Sequence, residues 1–112
     1  MKIETPYELA LRTLFDHLTG LEALLTERAQ EAEDASLPKE TARESGIQAE
    51  QLRVAVPAVR EAIKRVMRED IARREPRMPL HKRVLVVDHY FERALSAARI
   101  RQGWNERVSA GV

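Results

Sequence analysis

The stretch PLHKRVLVVDHYFERALSAARIR, residues 79–101, decides how this chain is to be read. Leu80, Val84, Val87, Phe91, Ala94 and Ala98 recur at steps of four and three, which places them on one stripe of an α-helix. Val84, Leu85, Val86 and Val87 run consecutively through that stripe, so for one turn the helix is apolar on every side. A turn of that kind has to be covered on every side. The stripe at Val84, Val87 and Phe91 is expected to face the subunit's own core. Leu85, Val86 and Tyr90 are left over, and a symmetric homodimer is the simplest cover for them, because it buries the same patch on both subunits. The competing expectation is a strand at 84–88 pairing between subunits, since β-branched residues favour it.

Immediately upstream, Glu75-Pro76-Arg77-Met78-Pro79 is the clearest break in the chain. Two prolines three apart end one helix and open the next, and so short a connection makes its neighbours antiparallel. Before it, Leu52, Val56, Val59, Ile63, Val66 or Met67, and Ile71 repeat the pattern of fours and threes. Pro57 interrupts this run and removes the amide that would bond the Arg53 carbonyl. The apolar phase survives across it, which predicts one bent helix over 47–74. On its outer face Glu61/Arg65, Arg65/Glu69, Glu69/Arg73 and Asp70/Arg74 stand at ion-pair spacing.

At the start of the chain Thr5-Pro6-Tyr7-Glu8 reads as a helix opening, with Thr5 as cap, Pro6 at the first helical position and Glu8 able to complete a capping box. Leu11, Leu14, Phe15, Leu18, Leu21 and Leu25 then mark one face of a helix over 6–33. Gly20 lies inside it, at a cost of about 1 kcal/mol against alanine. Residues 33–46, EDASLPKETARESG, form a polar connector in which Ser36 could cap a short helix or turn near 37–45 with Gly46 as its stop. Gly103 is expected to close the last helix, leaving 103–112 as a tail.

Composition agrees with an all-α reading. The chain has 112 residues, 44% apolar and 33% charged, with only 4% aromatic, so the interior must be aliphatic and the helix faces long and solvated. Cysteine is absent, which excludes disulfides, thiolate metal sites and a cysteine nucleophile. No apolar run approaches the ~20 residues that span a bilayer, and MKIETPYELALRTLF has no basic stretch leading into an unbroken apolar one. A soluble cytoplasmic protein is the expectation. The net charge is +1, yet residues 1–50 carry 5 Lys and Arg against 11 Asp and Glu, while residues 51–112 carry 14 against 7. Such asymmetry means either a nucleic-acid surface or two halves that attract each other.

The candidate chemistry is sparse. Asp16-His17 with Glu22, and Asp88-His89 with Glu92, are the nearest approach to metal ligands, but a bundle metal site needs a Glu-x-x-His on each of two helices. Only His89-x-x-Glu92, in reverse order, is present. No catalytic signature and no cofactor motif stands out. The basic run that includes Lys64, Arg68, Arg73, Arg74, Lys82 and Arg83 could release counterions from phosphates, although acidic residues are interleaved with it. Trp104 and Tyr7, near opposite ends of the chain, are candidate contacts for a protein partner.

Three short stretches resemble known families. Val84-Leu85-Val86-Val87-Asp88 is similar to the first strand of receiver domains, but no further strands alternate with helices. Arg74 or Arg77 with His81 resembles the arginine–histidine pair of HEPN-type helical ribonucleases, with Pro76 and Pro79 interrupting the segment. Leu11-Arg12 and Glu27-Arg28 resemble the first helix of chorismate-mutase bundles, with a different spacing. None of these supports carrying over a site residue.

The sequence therefore predicts an elongated, dimeric bundle of three main helices, near 6–33, 47–74 and 80–102. The function expected is that of a small non-catalytic regulatory or adaptor protein binding another protein through apolar helix faces. The alternative is a nucleic-acid-binding accessory protein using residues 60–83, and a small helical-bundle enzyme comes third.

Overall fold

The computed structural model describes the backbone of residues 3–109 and the side chains of residues 3–103. Among the described residues there are three helices and no strand: α1 Pro6–Ala32, α2 Lys39–Arg74 and α3 Leu80–Ser109. The valine run at 84–88 is helical. In a helix its spacing brings Val87 and Phe91 together on the buried side, an outcome a strand would forfeit.

Local chemistry sets the ends. The Thr5 hydroxyl oxygen accepts a hydrogen bond from the Glu8 amide at 3.1 Å, with Pro6 in the first turn. The Pro79 carbonyl accepts from the amides of Lys82 and Arg83, each at 3.0 Å, and so starts α3.

Between α1 and α2 the structure corrects the expectation of a separate short helix near 37–45. Ser36 is not a helix cap: its amide and hydroxyl both donate to the Asp34 carboxylate, at 2.9 and 2.6 Å, and these bonds hold the Asp34 carboxyl below its ordinary value. Pro38 precedes the helix, and α2 runs unbroken for 36 residues from Lys39. Gly46 does not stop it, because packing overrides propensity. Ser45 and Ala49 are buried, and a Cβ at Gly46 would lie 3.6 Å from the Ala32 Cβ. Small residues thus let the two helices close up at this end. Gly103 likewise lies within α3 rather than closing it.

The Ser45 hydroxyl donates to Glu31 Oε2 at 2.7 Å, and Arg28 grips the same carboxylate at 2.9 Å. The Ser45 bond first, and Arg28 after it, lower the Glu31 pKa. A depressed carboxylate stabilises the fold above its unfolded value and loses that contribution as pH falls through the folded value. Ser45→Ala is therefore expected to lower the urea midpoint at neutral pH, with the difference from wild type shrinking below about pH 4.3.

The core is one cluster: Phe15 and Leu18 from α1, Val56 and Ile63 from α2, Phe91, Leu95 and Ala98 from α3. The Phe15 and Phe91 rings lie 5.1 Å apart. Ion pairs Arg60–Glu92 and Lys64–Asp88 show α3 antiparallel to α2, while Glu31–Ser45 at one end and Tyr7–Asp70 at the other show the same of α1 and α2. α1 and α3 consequently run parallel.

That register corrects the predicted stripe. Leu80 is 72% exposed and Val84 38% exposed, whereas Leu95, which the stripe omitted, is fully buried. With Phe91 opposite Phe15, Leu80 falls level with residue 4, before α1 has begun. The first turn of α3 has no α1 to lie on.

The charge asymmetry is used within the chain. Arg101 binds Asp16 at 2.7 Å and Arg99 binds Glu22 at 2.9 Å, while Arg60 reaches both Glu22 and Glu92, at 3.8 and 3.5 Å. An acidic first helix is stitched to the basic remainder.

Candidate functional site

Beside the buried stripe of α3 runs a second one, Val86, Tyr90, Ala94 and Ala97, at steps of four, four and three. α1 and α2 cover it only in part: Val86 and Ala94 are half-buried, Ala94 against the core cluster, while Tyr90 and Ala97 are exposed. The facing wall is α1, with Leu11 and Phe15 behind Tyr7, and the floor is Met67 and Ile71 of α2. Together they enclose an open cleft of about 640 Å³, within the range of small-molecule pockets in other proteins. It exists because positions 94 and 97 carry alanines, where a longer side chain would fill the space between α1 and α3.

The rim is charged but internally balanced. Arg12 pairs with Glu4 at 3.1 Å, Arg74 with Asp70 at 2.8 Å and Arg101 with Asp16 at 2.7 Å. Asp70 is itself buried and also holds Arg73, at 3.3 Å. Burial pushes the Tyr7 phenol above its ordinary value, and the charge of Asp70 pushes it further. Tyr7 therefore stays a neutral hydroxyl against the Asp70 carboxylate at physiological pH. What the cleft offers a visitor is apolar surface: the rings of Tyr7, Phe15 and Tyr90, aliphatic side chains, and Met67 and Met78, whose flexible thioethers adapt to differing shapes.

Residues singled out for different tasks meet here. Val86 and Tyr90, expected at a dimer interface, and Tyr7, expected to contact a partner, all line the same cleft. Leu85 does not: it points outward, 66% exposed. The Trp104 side chain lies outside the described residues. Met67, Met78, Ala94 and Ala97 were not anticipated as site residues, although two alanines on the stripe of Tyr90 are a legible sign of a helix face left open.

The basic residues are largely occupied. Lys64 pairs with Asp88 at 3.3 Å and sits 4.9 Å from the centre of the Phe91 ring, and Arg68 pairs with Glu61 at 3.8 Å. Arg73 and Arg74 share Asp70, Arg83 donates to the Pro76 carbonyl at 2.8 Å, and Lys82 is exposed. Arg12 and Arg28, on one helix sixteen residues apart, are separated by about 24 Å and do not converge on one pocket. Among the described residues no group of three His, Asp or Glu side chains is placed to hold a metal ion, and no helix is long and apolar enough to cross a membrane.

No family model matches the sequence, and neither a curated protein nor a solved structure shows detectable similarity to it.

Proposed function

We propose that this protein is a small, non-catalytic regulatory or adaptor protein that binds another protein by taking one of its amphipathic helices into the α1–α3 cleft. A cytoplasmic transcription regulator held inactive in this way is one such partner. The observation that carries the reading is the cleft itself: about 640 Å³ of largely apolar space flanked by two parallel helices, the setting in which a third helix lays its apolar face. A homodimer belongs to the same reading, since the exposed Tyr90 and the half-buried Val86 line the cleft for either use. The nucleic-acid alternative is less favoured because Lys64, Arg68, Arg73 and Arg74 already face carboxylates, which would have to be given up to reach phosphates.

A photo-crosslinking amino acid at Ala97, an exposed position lining the cleft, tests this in the native host. The expected result is a discrete adduct with a foreign protein, mapped to a helical segment of that protein, and absent when the crosslinker sits at Leu85. Adducts with nucleic acid, or none but the protein's own copies, would overturn the proposal.

A further inference from the structure

We propose, building on the reading of the cleft as a helix seat, that its resident occupant is α3 of a second copy of this chain, so that self-association and capture of a foreign helix exclude each other. Three observations carry this.

The first is surface. The chain exposes 8326 Å², whereas a folded monomer of its mass exposes about 6,300 Å². Its radius of gyration is 17.6 Å, against about 13 Å for a self-contained domain of this length. The excess exceeds the roughly 800 Å² per subunit that an ordinary stable interface buries. The chain as a whole therefore has surface to spare for a partner.

The second is shape. A two-fold interface requires one patch to serve as both wall and guest. The stripe Val86, Tyr90, Ala94 and Ala97 meets that condition, with one large ring and two small residues in succession. Tyr90 of each copy fills the space left by the other's alanines, the alternation of large and small that close helix packing calls for.

The third is exclusivity. Any helix seated in the cleft covers Val86, Tyr90, Ala94 and Ala97, because they form one of its walls. Those side chains cannot contact two occupants at once. A foreign helix must therefore displace the second copy, and the protein's own concentration sets how readily it can be captured.

Light scattering on the full chain over a range of concentrations is the test. Wild type is expected at twice 12.8 kDa, falling to the single-copy mass on dilution. Ala97→Glu, which places a carboxylate in the seat, should weaken association by about 100-fold with unchanged helicity. Leu85→Glu, outside the cleft, should not change the mass. Because the chain has no cysteine, single cysteines at 90, 94 and 97 provide a second measurement, since only positions brought close across the two-fold will oxidise to a covalent dimer.

A single-copy mass at the highest concentration, or a dimer broken by Leu85→Glu but not by Ala97→Glu, overturns the inference. So does a captured complex that holds a foreign helix in the cleft while retaining two copies. If wild type is single-copy and Ala97 still captures a foreign protein, the adaptor reading survives and this inference falls. If the dimer forms as described and Ala97 captures only its own copies, the inference stands and the adaptor reading falls.

Discussion

Phe91→Ala is expected to destabilise the protein by about 3–5 kcal/mol, at least about a sixth of the total stability of roughly 6–17 kcal/mol expected for a chain of this length. Phe91 has no exposed surface and lies where all three helices meet, its ring 5.1 Å from that of Phe15. The Arg60 guanidinium carbon stands 5.2 Å and the Lys64 ammonium 4.9 Å from the Phe91 ring centre, so truncation also removes two cation–π contacts, each worth about 0.5–1 kcal/mol. Both cations keep their carboxylate partners, Glu92 and Asp88, which limits the secondary damage. Urea unfolding followed by circular dichroism measures the loss. Phe91→Leu should cost well under half as much, and Leu85→Ala, at an exposed site, should stay within about 0.5 kcal/mol of wild type. A small effect at Phe91 would mean that the three helices are not joined through this residue.

Pro57→Ala is expected to act in the opposite direction, raising stability by about 2 kcal/mol. Pro57 is exposed within an unbroken helix, where proline costs about 3 kcal/mol relative to alanine through the missing amide and the clash with the preceding turn. Against that gain, proline stiffens the unfolded chain, and losing it gives back about 0.4–1 kcal/mol. The same unfolding experiment decides the sign. A neutral or destabilising result would show that proline at position 57 is needed to seat its neighbours Val56 and Val59 against the core.

The all-helical class and the three main helices could be read from the spacing of apolar residues and from the two proline breaks. The starts of α1 and α3 were legible because Thr5, Pro6 and Pro79 act locally. The start of α2 was not: Gly46 and Ser36 are local stop and cap signals, and the contacts that outweigh them, Ser45 on Glu31 and Gly46 beside Ala32, are made by residues distant in sequence. The Leu80 position was misassigned for a related reason. Periodicity tells which residues share a face, but not how far the neighbouring helix extends along it. Leu95 was missed because Ala94 fits the same periodic slot, and only the register set by Phe15 and Phe91 shows which of the two turns inward. The cleft was half legible. Val86, Tyr90 and Tyr7 were each singled out, for two different purposes, and only the parallel arrangement of α1 and α3 reveals that they share one hollow.

At 36 residues α2 is about 54 Å long, close to the 58 Å long axis of the whole molecule, and it contributes Val56 and Ile63 to the core that both outer helices share. It is the keel of the molecule. A protease that nicks the 75–79 connector would leave two pieces that stay joined, and neither piece keeps a complete interior once they are separated. Hydrogen exchange should accordingly find the slowest amides of α1, α2 and α3 opening together, as a single event.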